Sequence, residues 1–149
     1  MKPGERAYLP SEIRDLGWAV AQGQTDAYVF QVRFRCFPGD FPKSTYPVRL
    51  NVFWEMKHPL ENGMASPADI KAMQTFEERL IQATEPDGAS VLAAVLTGRG
   101  EREFVFHTKN AGDFLSCLGD MPQEAARYPI KIFSATDPGW DYVHKLVKN

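Results

Sequence analysis

The stretch Val91–Thr108, VLAAVLTGRGEREFVFHT, decides the fold. Val91–Leu96 is apolar at every position, which marks a strand covered on both sides or placed centrally in a sheet. Gly98-Arg99-Gly100 supplies a hairpin turn, because glycine reaches positive φ without steric cost. The return strand, Arg102–Thr108, alternates, with Phe104 and Phe106 inward and His107 out of phase with them. A lone Gly-Arg-Gly is too short to cradle a phosphate, so the segment reads as a hairpin and not as a nucleotide loop.

Upstream lies a helix. Ser66 can cap it, Pro67 suits its first position, and Asp69 follows three residues after the cap. Ile70, Met73, Phe76, Leu80 and Ile81 repeat at helical spacing, and the pattern stops near Thr84, before Pro86 and Asp87-Gly88. Further upstream, Val48, Leu50, Val52 and Trp54 alternate with Arg49, Asn51, Phe53 and Glu55. Tyr28, Phe30, Val32 and Phe34 likewise alternate with Val29, Gln31, Arg33 and Arg35, whose arginines are expected to face outward. Gly17–Gln22 reads as a short edge strand, and Phe37–Pro42 as a loop.

Downstream, Asn110 caps a short helix with Asp113 at its third position, and Tyr128–Ser134 forms a last strand. Asp137-Pro138 then opens a C-terminal helix holding Trp140, Val143 and Val147. The order β-β-β-α-β-β-α-β-α makes this an α+β chain, a ferredoxin-like α/β sandwich with a mostly antiparallel sheet and helices on one face. The strand at Val48–Trp54 already has two neighbours in that arrangement. The first two strands must then add at an edge, curl into a separate layer or replace the expected order. Residues 1–149 form a single domain, with 1–16 as a flexible N-terminal segment.

Composition narrows the function. With 149 residues, 17 basic and 19 acidic side chains, the net charge is −2, which argues against binding nucleic acid by bulk phosphate neutralisation. The N-terminal stretch carries Lys2, Glu5 and Arg6 with no apolar run after it, so neither a secretory signal nor a membrane span is expected, and the location is cytoplasmic. Cys36 and Cys117 lack paired spacing, and His58, His107 and His144 lack ligand spacing. No metal, no cofactor and no catalytic residue is therefore expected. Arg33 and Arg35 share a strand face, and Arg49 can join them as an interaction surface for an anion or RNA, though the strand aromatics point the other way. Asp137, Pro138, Trp140 and Tyr142 form the most distinctive run, a structural signature that packing explains without a ligand.

That D-P-x-W-x-x-Y ending resembles the bacterial family catalogued as domain of unknown function 695. So do Tyr46-Pro47 leading to Val52-Phe53-Trp54, the helix residues Phe76-Glu77-Glu78-Arg79-Leu80, and Thr97-Gly98-Arg99-Gly100 running into Arg102–Phe106. No activity is established for that family, so the resemblance implies no catalytic residues. The chain is more distantly similar to the B-type regulators of ribonuclease activity, small α+β inhibitors of ribonuclease E. Those look strongly acidic, whereas this chain carries −2.

The leading expectation is a non-enzymatic protein-binding or regulatory module whose partner is another protein, or a second copy across a sheet face carrying Val29, Val105, Phe53 and Phe133. The alternative is a small enzyme or ligand binder with a pocket beside the 37–46 loop, using Cys36 or His58. The third is weak RNA contact through Arg33, Arg35 and Arg49.

Overall fold

The computed structural model describes residues 4–26, 28–121 and 128–148. Its elements are α1 (Pro10–Arg14), β1 (Trp18–Gln24), β2 (Val29–Arg35), a 3-10 turn (Lys43–Thr45), β3 (Val48–Glu55), α2 (Pro67–Thr84), β4 (Ser90–Gly98), β5 (Glu101–Thr108), α3 (Ala111–Asp120), β6 (Ile130–Thr136) and α4 (Asp141–Lys148). The six strands form one sheet in the order β1-β2-β4-β5-β3-β6, antiparallel at every pairing. This is the α+β class that the sequence pattern implies. Helix α2 carries the chain from β3 over β5 to β4, and α3 carries it from β5 over β3 to β6. The first two strands extend the sheet at the free edge of β4, through β2.

Local chemistry sets the boundaries. The Ser66 hydroxyl accepts from the Asp69 N–H to start α2, and Asn110 accepts from the Asp113 N–H to start α3. In the β4–β5 hairpin, Arg99 and Gly100 both take positive φ, 55° and 80°. Turns of this sense match the twist of the strands they join.

Helices cover both faces, which corrects the expectation of one. Leu50, Val52, Trp54, Leu92, Phe104 and Phe106 meet Met73, Phe76 and Leu80 of α2 and Phe114 of α3 on the first face. On the second, Val91, Ala93, Ala94 and Val105 are covered by Ile13 of α1, Phe41 and Tyr46 from the loop before β3, and Trp140 and Val143. The physical cause is the all-apolar run of β4, whose second face has to be shielded from water as well. A register shift between Leu92 and Ala94 puts two consecutive alanines, Ala93 and Ala94, into the second cluster.

The N-terminal segment contributes Ile13 and Tyr8 to this second layer. Ile13 is 2% exposed, and Tyr8 packs its ring 5.3 Å from Phe41. Val105, expected on an open face, is fully buried by the same cover. Residues 1–3 and the side chain of Val147 lie outside the described residues.

Candidate functional site

The C-terminal signature is built differently from a simple helix start. The Trp140 N–H donates to the Asp137 carbonyl at 3.0 Å, closing a turn over Pro138 and Gly139, and Trp140 itself takes φ 57°. Helix α4 begins only at Asp141, so Trp140 stands before the helix and not inside its first turn. The Asp137 carboxylate still caps it, accepting from the Asp141 N–H at 2.9 Å and the Tyr142 N–H at 3.3 Å, and it also pairs with Arg49 Nη1 at 3.0 Å. Burial pushes the Asp137 carboxyl up, but these backbone donors and the guanidinium outweigh it and hold the group below the ordinary carboxylate value.

The left-handed turn lays the Trp140 indole flat on His107, ring centroids 4.1 Å apart at 14°. Trp140 Nε1 donates to the carbonyls of Lys43 and Tyr46, at 3.0 and 3.1 Å. His107 Nδ1 lies 2.9 Å from the same Tyr46 carbonyl, which can only accept, so Nδ1 carries the proton. That leaves Nε2 buried with no partner. Burial lowers the His107 pKa to about 4, against a smaller upward pull from the Tyr46 carbonyl and Asp137.

A pH prediction follows from that value. The unfolded ring takes up a proton near pH 6.5, while the folded ring refuses it until about 4. The stability contributed by this ring is full above pH 6.5 and lost as pH falls toward 4, in total about 3 kcal/mol. Urea denaturation at pH 7, 5.5 and 4.5 reads the loss, and His107→Leu flattens it. An unchanged pH slope in that variant refutes the assignment.

Beside this stack runs a polar chain. Glu103 Oε2 accepts from Asn51 Nδ2 at 2.7 Å and from the Tyr142 hydroxyl at 2.6 Å. Asn51 Oδ1 accepts from Arg49 Nε at 2.9 Å, and the Arg49 guanidinium sits 4.6 Å over the Tyr142 ring. Burial, with the Glu103 carboxylate beside it, pushes the Tyr142 hydroxyl well above its usual value. Asn51 and Glu103 escaped the sequence reading. Asn51 has one signal, a polar residue between Leu50 and Val52 in a central strand, whereas Glu103 follows Arg102 and has none.

Of the three arginines expected together, Arg33 and Arg35 share a face and Arg49 lies apart from them. Arg33 and Arg35 face α2, where Arg33 pairs with Glu77, and Arg35 pairs with Glu85 at 3.0 Å. Both guanidiniums also lie over the Trp18 ring, at 4.7 and 4.8 Å. Arg49 is on the opposite face with Asp137. The outward-facing arginine strand is thereby corrected: α2 carries the carboxylates that make this face habitable for them.

Cys36 and His58 also separate. His58 lies exposed beside an apolar cleft of about 460 Å³ bounded by Trp54, Phe76 and Tyr128, and its backbone N–H donates to Asp69 at 2.8 Å. Cys36 is exposed on the rim of a cleft of about 300 Å³ on the other side of the sheet, with Phe37, Lys43 and His144. Cys117 stays within α3. No group of three His, Cys, Asp or Glu side chains able to hold a metal occurs among the described residues.

Residues 17–146 match the model of a family of unknown function, DUF695. The chain belongs to this family. For a DUF695 chain the match spans β1 to α4, so the second-face stack, the Glu103 chain and the Asp137–Trp140 turn all fall inside the family's unit. No curated protein and no solved structure matched the chain. No helix among the described residues is long and apolar enough to cross a membrane.

The remaining feature of this DUF695 fold is its β6 edge. Among the described residues, strand β6, Ile130-Lys131-Ile132-Phe133-Ser134-Ala135-Thr136, pairs only with β3 and ends the sheet. Phe133 is 67% exposed beside Phe53, ring centroids 6.1 Å apart, and Ile132 on the alternate face is 36% exposed.

Proposed function

We propose that this chain is a non-enzymatic, cytoplasmic protein-binding module that takes an extended segment of another protein as a further strand along β6. The observation that carries the reading is Phe133, a large apolar side chain 67% exposed in the middle of a terminal strand. Sheet edges are usually guarded by charge, proline, bulges or a covering loop, because their free N–H and C=O groups recruit other strands. Here the strand carries one charged residue, Lys131, and no proline or glycine. Strand addition takes affinity from the main chain and specificity from alternate side chains. Phe53 and Phe133 offer the pocket for one such side chain on the second face. Two free thiols, with Cys36 exposed, suit a reducing compartment.

The test is selection of peptides from a displayed library on the wild-type protein, followed by Phe133→Glu. Selected peptides should protect the backbone amides of residues 130–136 from hydrogen exchange, and Phe133→Glu should weaken them at least about tenfold without changing the melting temperature. A dimer in sedimentation that dissociates in the same variant moves the occupant of the edge to a second copy. Peptides that bind Phe133→Glu as tightly as wild type, or leave 130–136 unprotected, overturn the reading.

A further inference from the structure

The cleft beneath the 37–46 loop brings together a cation, an imidazole and a thiol that the sheet-edge function does not use. Its walls are Phe34, Cys36, Phe37, Lys43, Val143 and His144, enclosing about 300 Å³. They come from the end of β2 with the loop after it and from α4, two stretches distant in sequence and drawn together by the Trp140 stack on which they rest. Lys43 is fixed from below, since its own carbonyl accepts from Trp140 Nε1 at 3.0 Å. Its ammonium reaches His144 Nε2 at 3.3 Å and lies 5.5 Å over the Trp140 ring.

The charge of Lys43 is poorly met. No carboxylate of the described residues lies within 4.0 Å of its ammonium, and the His144 ring and an aromatic face are what surround it. Arg35, also on the cleft wall, already has its counter-charge in Glu85. Partial burial lowers the Lys43 pKa, the direction taken when a cation is desolvated without an anion beside it. An anion entering the cleft would supply what the protein withholds, and Phe34, Phe37 and Val143 would receive an apolar body attached to it. Ligand sites of this kind are mostly apolar with a few fixed polar groups, and about 300 Å³ is the small end of their range.

We propose that this cleft binds a small organic anion, a carboxylate on a flat apolar body, with Lys43 and His144 holding the carboxylate and Phe37 and Val143 the body. Cys36 on the rim reports occupancy, because a ligand seated there shields its thiol.

2-Naphthoate serves as the probe. It should bind the full chain with one-to-one stoichiometry in calorimetry and slow alkylation of Cys36 by iodoacetamide, leaving Cys117 unaffected. Lys43→Met keeps the aliphatic stem and the backbone carbonyl that Trp140 needs. It should weaken the probe at least about tenfold with the melting temperature preserved, and Lys43→Arg should restore most of the affinity. The uncharged 2-naphthamide should bind wild type about tenfold more weakly than the acid. No binding of naphthoate up to about 1 mM, undiminished binding to Lys43→Met, or unslowed alkylation of Cys36 at saturation each overturns the proposal. Phe133→Glu should leave the probe's affinity unchanged, so this site and the strand-edge reading fail separately.

Discussion

Truncating Trp140 to alanine should lower folding stability by about 4 kcal/mol, within the range for aromatic-to-alanine changes in cores. The ring is fully buried. It lies flat on His107 and meets the edges of Phe37 and Phe41 at 5.0 and 6.0 Å. It also supplies the indole donor to the carbonyls of Lys43 and Tyr46. Removal leaves a cavity among rigid neighbours and takes the donor from the Lys43 carbonyl, while Tyr46 keeps His107. Alanine must still adopt the left-handed backbone at φ 57°, which costs roughly 1 kcal/mol for any residue with a Cβ, so the measured loss belongs to the ring. Trp140→Phe keeps much of the area but no donor, and should lose about half as much. Guanidinium denaturation followed by circular dichroism gives both numbers. A loss below about 1 kcal/mol for alanine would show that α4 and the 37–46 loop do not depend on this stack. In the folded Trp140→Ala protein the His107 titration should also rise toward its ordinary value, because the covering ring that excludes water is gone.

What the sequence made legible is whatever is local. Alternation at Val48–Trp54 and Arg102–Thr108, the Ser66–Asp69 cap of α2 and Gly100 of the β4–β5 turn all hold in the structure, while the other left-handed residue of that turn is Arg99 and not Gly98. Period-two alternation says which side chains share a face. It does not say which layer will cover that face. The alternation in β2 predicts outward-facing Arg33 and Arg35, yet both sides of β2 are packed, because α2 brings Glu77 and Glu85 to the arginines from 44 and 50 residues away. The Trp140 turn was hidden for another reason: Asp-Pro is a good helix opening, and only the burial of the ring selects a left-handed residue between cap and helix. The cleft joining Cys36, Lys43 and His144 depends on that turn, so no spacing rule could have assembled it.

Arg35 and Glu85 form the second point of high leverage. Their side chains are 3% and 8% exposed, with Nη1 and Oε2 at 3.0 Å. Glu85 ends α2 at its C-cap, where the helix dipole disfavours a negative charge, and it also accepts from the Leu92 N–H at 2.7 Å. The guanidinium therefore neutralises a carboxylate that burial and the helix end both oppose, and it fastens the end of α2 to the end of β2. Arg35→Met should cost about 3–4 kcal/mol, because it strands a buried carboxylate. Glu85→Gln should cost somewhat less, since the amide oxygen can still accept from Leu92. A buried pair gains little over a well-packed apolar replacement, because desolvation consumes most of the attraction, and Arg35 Nε already lies buried without an acceptor. The double variant Arg35→Met/Glu85→Gln should then recover most of the single-variant loss and stand within about 1–2 kcal/mol of wild type. A double-mutant cycle in urea measures this directly. If the two losses simply add, the pair is not coupled, and the tether between α2 and β2 must come from the Arg33–Glu77 pair instead.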